Sequence, residues 1–131
     1  MIRLYKFKKR DNMNIAIIDD EVEILNMLEK FLSKRGNNVT SYQNPVTALS
    51  SIANDTDVVL LDVMMPQMNG LDLLPKLLAK YPNIKVIIMT AYSTLDKILE
   101  AQKGGAVFYT MKPFESLKKL EEKILEVSQN N

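Results

Sequence analysis

The sequence predicts an α/β fold in which helices cover both faces of a five-stranded parallel sheet. Two features of the sequence support this prediction. Short apolar runs without polar alternation recur along the chain, which is typical of strands that are buried on both faces. Each run is followed by a segment with apolar residues at helical spacing, and the connections are only a few residues long. Units of this kind wind into a parallel sheet through right-handed crossovers.

The five predicted strands are short, and four of them run into a polar or charged residue. The first and third strands lead into Asp19-Asp20 and Asp62. The fourth and fifth lead into Thr90 and Lys112. The predicted strands cover residues 14–18, 38–42, 58–61, 85–89 and 107–111.

Five predicted helices follow the strands and are bounded by residues that start or stop a helix. Pro45 opens the second helix, and Ser93 is the predicted N-cap of the fourth. Glycine or proline ends the first, third and fourth helices. The helices start near Ile24, Pro45, Leu71, Ser93 and Leu117 and end before Gly36, near Ala53, before Pro82, before Gly104 and near Val127. A five-stranded sheet of this kind usually has the strand order 2-1-3-4-5, which is called flavodoxin-like.

The composition indicates one soluble globular domain, which we place at residues 14–131. The chain has 131 residues, of which 47% are hydrophobic and 25% charged, and these values are ordinary for such a domain. It contains neither Cys nor His, which excludes disulfides, thiol nucleophiles, imidazole bases and zinc or copper sites built from these residues. Any bound metal must be held by oxygen ligands. Membrane insertion is not expected, because no apolar run is long enough to cross a bilayer.

Residues 1–13 form a predicted basic extension. The segment holds five basic residues and one acidic residue, a net charge of +4, and it lacks the continuous apolar core of a signal peptide. A nucleic-acid or membrane-surface arm is an alternative interpretation of this segment. Residues 14–131 hold 12 basic and 15 acidic residues, a net charge of −3, so direct nucleic-acid binding is not expected.

The polar residues at the strand ends predict one functional site. The carboxyl ends of parallel strands lie at the same edge of a sheet, and ligands of open α/β sheets bind beyond that edge. We therefore expect Asp19, Asp20 and Asp62 to meet there, together with Thr90 and Lys112. Three close carboxylates repel one another unless a cation joins them. Lys112 supplies one positive charge, and Mg²⁺ suits a site made of carboxylates and a phosphate.

The motifs around these residues resemble those of the receiver domain of two-component response regulators, the CheY-like superfamily. The resemblance covers residues 14–128 and has four parts. They are Ile17-Ile18-Asp19-Asp20-Glu21, Leu61-Asp62-Val63-Met64-Met65-Pro66 with Asn69-Gly70, Met89-Thr90-Ala91 and Met111-Lys112-Pro113-Phe114. It implies that Asp62 accepts a phosphoryl group, and that Thr90 and Lys112 contact the phosphoryl oxygens. It also implies a cis Lys112–Pro113 peptide bond.

The resemblance further implies which groups bind the metal, switch the domain and tune hydrolysis. Mg²⁺ would be held by Asp19, Asp20, Asp62 and the backbone carbonyl of Met64. Tyr109 would be the switch aromatic, although a half-buried strand aromatic is a common structural feature in its own right. Met64 and Tyr92 would flank the path of the hydrolytic water. Neither of these two side chains can orient water as a carboxylate or amide does, so slow hydrolysis is expected.

The expected function is that of a stand-alone cytoplasmic receiver, because the sequence ends after the fifth predicted helix, before any DNA-binding or enzymatic effector segment. A sensor histidine kinase would phosphorylate it, and the surface of the fourth helix, fifth strand and fifth helix would then signal to an effector protein. It would catalyse its own phosphorylation and dephosphorylation, as a monomer or a weak phosphorylation-dependent dimer. The alternative is a relay that passes the phosphoryl group to a histidine phosphotransfer protein.

Two other classes fit the sequence less well. Haloacid dehalogenase-like phosphatases also place an Asp nucleophile after a strand, but they need a second Asp two residues later, where this chain has Met64. A flavin-binding flavodoxin-like protein would need a phosphate-binding loop after the first strand, and Asp19-Asp20-Glu21 would repel phosphate.

Overall fold

A parallel sheet of five strands in the order β2-β1-β3-β4-β5 forms the centre of the fold, which confirms the predicted architecture. The computed structural model of the chain describes residues 13–91 and 95–129. The elements are β1 Asn14–Ile18, α1 Val22–Lys34, β2 Asn38–Tyr42, α2 Pro45–Ser51, β3 Val58–Asp62, α3 Gly70–Lys80, β4 Lys85–Thr90, α4 Leu95–Lys103, β5 Phe108–Met111 and α5 Leu117–Gln129.

The predicted element boundaries differ from these at a few positions. Helix α2 ends at Ser51, before the predicted Ala53, because Ile52 turns into an extended conformation and is buried in the core. Strand β5 begins one residue after Val107. The predicted N-cap Ser93 lies outside the described residues. Met13 is buried, and its carbonyl accepts a hydrogen bond from the Asn38 amide at 2.9 Å. Met13 therefore packs with the domain that follows it.

Strand β3 is the most protected element, since all five of its residues are buried. It pairs with β1 on one side and with β4 on the other. Successive side chains of a strand point to opposite faces. Val59 and Leu61 join the core under α2, α3 and α4, and Val58 and Leu60 join the core under α1 and α5. Each such side chain stabilises the fold by about 1.5–3 kcal/mol through burial, which fixes the register and holds the end of β3 in place.

The register of the sheet brings four strand ends to one edge. Ile18 pairs with Leu61 across β1 and β3, Asp62 pairs with Met89 across β3 and β4, and Thr90 pairs with Met111 across β4 and β5. The residues that directly follow β1 and β5 therefore lie beside Asp62 and Thr90. In the described part of the chain, none of the helices combines the length and the apolar character needed to cross a membrane.

Candidate functional site

The buried polar side chains of the described residues are concentrated at this carboxyl edge of the sheet. They are Asp19, Asp62, Thr90 and Lys112. A buried polar or charged group costs free energy unless it is paired. Their concentration at one place indicates a functional site. Each of the four was predicted from the sequence as a site residue.

Three carboxylates meet at the site. Asp19 and Asp20 follow β1, Asp62 ends β3, and one oxygen from each lies within 4.8 Å of the others. Asp19 is fully buried, and its Oδ1 accepts a hydrogen bond from the Glu21 amide at 2.9 Å. Asp20 is partly exposed and gives the cluster an opening to solvent. Charges at this spacing repel one another, and the cluster therefore favours a bound cation.

Lys112 extends its ammonium group into the carboxylates. Its Nζ lies 2.6 Å from Asp19 Oδ2, 3.1 Å from Glu21 Oε1 and 3.3 Å from Asp62 Oδ1. The Lys112 amide donates to the Thr90 carbonyl at 2.9 Å, which ties the start of the following loop to the end of β4. The Lys112–Pro113 peptide bond is cis, as predicted.

The protonation of the site reflects burial and charge together. Burial, with the neighbouring Asp19 charge, raises the pKa of Asp62 to about 7, although Lys112 opposes the rise. Burial also raises the pKa of Asp19, and Lys112 again opposes it. Burial would lower the pKa of Lys112, but its contacts with Asp19, Asp62 and Glu21 outweigh that effect and leave the pKa raised. The single ammonium group of Lys112 therefore does not neutralise the cluster of Asp19, Asp20 and Asp62.

Glu21 was not predicted as a site residue. In the sequence it is only the last residue of the acidic motif that follows β1, yet its carboxylate is hydrogen-bonded to Lys112, 91 positions further along the chain. The available signal was its place next to Asp19-Asp20. The contact itself depends on how the start of α1 lies against the end of β5, which the local sequence does not reveal.

The loop after β3 is shaped by Asn69 and Gly70. Asn69 caps α3 by accepting a hydrogen bond from the Leu71 amide at 2.7 Å. The Gly70 amide donates to the Val63 carbonyl at 2.8 Å. A Cβ atom on Gly70 would lie only 2.0 Å from the Asp62 carbonyl oxygen, so the helix start packs directly on the backbone of Asp62. In the sequence, Asn69-Gly70 stood out only as part of the receiver-like motif around Asp62.

Of the remaining predicted residues, Met64 and Tyr109 lie in the described part of the chain. Met64, two positions after Asp62, is 51% exposed. Tyr109 is half-buried in β5 and packs against the core that lies under α3 and α4. Tyr92 lies outside the described residues. The roles of these three residues stay predictions.

The described residues fit the Mg²⁺ ion that the sequence resemblance implies. All candidate ligands are oxygen atoms, as this ion requires. Asp19 Oδ2 is buried, and apart from its ion pair with Lys112 it accepts no hydrogen bond from the described residues. Asp19, Asp20, Asp62 and the Met64 carbonyl would hold the ion, which would supply the positive charge that the cluster lacks.

A flavodoxin-like sheet with its polar groups gathered beyond the strand ends defines a class of α/β protein that acts at this edge. The family profile described as the response regulator receiver domain matches residues 15–125. The chain therefore belongs to the response regulator receiver domain family.

Known proteins that are similar to this chain include one that is much longer and others of similar length. The DNA-binding transcriptional regulator NtrC of Escherichia coli K12 is 40% identical over 102 residues, which are 77% of this chain and 22% of NtrC. Sporulation initiation phosphotransferase F of Bacillus subtilis is 37% identical over 105 residues, 79% of this chain and 85% of that protein. A CheY-like receiver domain protein from Methanospirillum hungatei superposes with a TM-score of 0.83 at 32% identity, covering 88% of this chain and 93% of that one.

Proposed function

We propose that the protein is a phosphorylation-dependent switch in which Asp62 accepts a phosphoryl group from a sensor histidine kinase. The observation that carries this proposal is the position of Asp62. It ends the buried central strand, and it lies 3.3 Å from a cation and within 4.8 Å of two further carboxylates. Phosphoryl transfer needs chiefly positioning and charge neutralisation, and this arrangement supplies both.

In the proposed reaction, an Asp62 oxygen bonds to phosphorus while the bond between phosphorus and the donor nitrogen breaks. The donor imidazole keeps the electron pair of the broken bond. Lys112 and the Thr90 hydroxyl would contact the transferred phosphoryl oxygens. Mg²⁺, when bound, would offset the charge that builds up on those oxygens. Asp62 must be ionised to attack, and the positive charges of the site favour that form against the effect of burial.

We further propose that the domain works in the cytoplasm as a stand-alone receiver, binding an effector protein through α4, β5 and α5. The similarity to phosphotransferase F supports this, because the alignment spans 85% of that relative. The same similarity favours a second candidate function, a relay that passes the phosphoryl group to a histidine phosphotransfer protein. The chain spans only 22% of NtrC, so NtrC as a whole is a weaker guide.

The assignment of Asp62 is tested by phosphorylation with a small donor such as acetyl phosphate in the presence of Mg²⁺. The parent protein should gain one base-labile phosphoryl group, and Asp62→Asn should gain none, because it lacks the nucleophilic oxygen. Intact-protein mass spectrometry measures the gain. Asp72→Asn is the matched control, since it removes an exposed carboxylate from the first turn of α3.

The same experiment tests the metal. Chelation of Mg²⁺ should slow labelling of the parent, and Asp20→Ala should reduce both the labelling rate and the stabilisation by Mg²⁺ in a thermal melt, because binding to the folded state raises stability by mass action. Undiminished labelling of Asp62→Asn would place the phosphoryl group elsewhere. An unchanged response to Mg²⁺ in Asp20→Ala would remove Asp20 from the ligand set.

A further inference from the structure

Three carboxylates crowd the ammonium group of Lys112, and its contact with Glu21 is a hydrogen bond of 3.1 Å. An ammonium has three N–H donors, and three carboxylates lie within 3.3 Å of Nζ. An arriving phosphoryl oxygen would compete with these partners for Lys112. Which carboxylate gives way then affects how readily the phosphorylated state forms.

The three partners differ in how easily they can release Lys112. The Asp19 side chain has no exposure to solvent and makes the shortest contact, and the Asp62 side chain would itself carry the phosphoryl group. The Glu21 side chain is 56% exposed. Once released, its carboxylate can be hydrated at little cost, whereas the buried Asp19 carboxylate has no access to water in place of Lys112. Glu21 is therefore the partner that can release Lys112 most easily.

The position of Glu21 in α1 provides an independent argument. Glu21 is the N-cap residue of this helix, where Ser, Thr, Asp or Asn is preferred, because a short side chain can accept a hydrogen bond from the first helical turn. The Glu21 side chain makes no such capping bond. It is directed to Lys112 instead, so this carboxylate serves the site and not the helix.

We propose that Glu21 is a positioning residue that restrains Lys112 in the unphosphorylated protein and is displaced when a phosphoryl group binds at Asp62. This inference rests on the proposed phosphorylation of Asp62. It implies that the Glu21–Lys112 contact opposes formation of the active state, because the contact has to be broken for Lys112 to reach the phosphoryl oxygens. Removing the contact should therefore strengthen binding of a phosphoryl group or its mimic.

The test measures the dissociation constant of beryllofluoride, a phosphoryl mimic, by isothermal titration calorimetry at saturating Mg²⁺. Glu21→Gln should bind the mimic about threefold to tenfold more tightly than the parent, a change of roughly 0.7–1.4 kcal/mol. Glu21→Asp should also bind more tightly, because its shorter side chain keeps the charge but draws the carboxylate away from Lys112. If Glu21 had only a structural role, both variants should bind beryllofluoride as tightly as the parent or more weakly.

Glu23→Gln is the matched control, because it removes an exposed acid from the first turn of the same helix. Its affinity should stay within twofold of that of the parent. Unchanged or weaker binding by Glu21→Gln would overturn the proposal, as would parent-like binding by Glu21→Asp or an equal gain in Glu23→Gln. If the parent binds no beryllofluoride, the phosphoacceptor assignment fails and this inference falls with it. Gains in both position-21 variants with an unchanged Glu23→Gln would support it.

Discussion

Asp62 combines two properties that oppose each other, since it is buried and it carries a negative charge in the proposed reaction. Burial and Asp19 raise its pKa to about 7 in the folded protein, against an ordinary value of 3.8. The folded state therefore binds this proton more tightly than the unfolded chain does. The contribution of the group to stability is full below about pH 3.8 and is lost as the pH rises through about 7.

This linkage predicts that Asp62→Asn stabilises the protein at alkaline pH when divalent metal is absent. Its melting temperature should exceed that of the parent by at least about 4 °C at pH 8, the equivalent of roughly 1 kcal/mol for a domain of this size. The difference should shrink at pH 5, where Asp62 of the parent is protonated. Thermal melts at the two pH values measure it.

Asp55→Asn serves as the control for the pH effect, because Asp55 is an exposed carboxylate in the loop before β3. Its melting temperature should differ from that of the parent by a similar small amount at both pH values. A stabilisation by Asp62→Asn that is equally large at pH 5 would show that repulsion in the acidic cluster is not its source.

The exposed side chain of Met64 bears on the lifetime of the phosphoryl group. Water must attack the phosphorus in line, opposite the Asp62 oxygen, and a side chain that orients this water can accelerate the reaction by roughly 10²–10⁴-fold. Met64 offers only a weak thioether acceptor. We expect Met64→Asn combined with Tyr92→Glu to shorten the lifetime about tenfold, roughly 1.4 kcal/mol of barrier.

The lifetime is measured as decay of the phosphorylated fraction after the donor is removed. Met64→Leu is the control, because it keeps an apolar side chain of similar size and should decay at the parental rate. If the double variant and the parent decay equally fast, these two positions do not govern access of water to the phosphoryl group.

At the scale of elements, the start of α3 and the end of β3 form one packed unit. The Gly70 amide donates a hydrogen bond to the Val63 carbonyl. The Asp62 carbonyl lies so close to Gly70 that there is no room for a methyl group there. Alanine normally favours a helix over glycine by about 1 kcal/mol. Here Gly70→Ala should instead destabilise the fold by about 1–3 kcal/mol, the usual cost of overpacking, measured by urea denaturation.

Gly104→Ala provides the comparison. A Cβ atom there would lie 2.9 Å from Leu74 Cδ2, the end of a flexible side chain that can move aside. Its cost should be less than half that of Gly70→Ala, and labelling at Asp62 should be slowed only in the Gly70 variant. Equal costs for the two variants would argue against a special packing role for Gly70.

The elements and the site residues were predictable to different degrees. Apolar periodicity and strand-end polarity sufficed to place Asp19, Asp62, Thr90 and Lys112 at one sheet edge, because the parallel α/β topology leaves few alternatives. The roles of Glu21 and Gly70 were not predictable in this way. Each depends on the distance between two elements after packing, and residue spacing along the chain carries no information about that distance.

At the scale of the whole molecule, the surface formed by α4 and β5 mixes exposed hydrophobic side chains with charged ones such as Asp96 and Glu100. Its exposed hydrophobic side chains are Leu99, Val107 and Met111, each about 45% accessible. Tyr109 lies between Val107 and Met111 along the chain and is half-buried. This surface is the one through which the proposed switch would act on a partner, and exposed hydrophobic side chains suit that use.

We expect beryllofluoride to perturb amide chemical shifts across residues 91–112, beyond the loops that touch the ligand. The physical reason is that a phosphoryl oxygen would draw the Thr90 hydroxyl inward and let Tyr109 turn into the space it leaves, a shift between two states of the domain. Two-dimensional NMR spectra with and without the mimic measure this. The amides of β2, at the far edge of the sheet, serve as the internal reference. Perturbations restricted to the ligand-binding loops would count against a switch.

The two-sided core has a mechanical consequence for such a switch. Tyr109 packs on the α3 and α4 side of the sheet, and alternation along β4 places Thr90 on the same side as Ile88, which belongs to that core. The opposite core, under α1 and α5, is separated from both residues by the sheet itself. The sheet thus lies between the residues that would switch and the core under α1 and α5. We therefore expect the rearrangement of Thr90 and Tyr109 to stay on the α3 and α4 side, so that substitutions in the core under α1 and α5 change the stability of the domain with little effect on the switch.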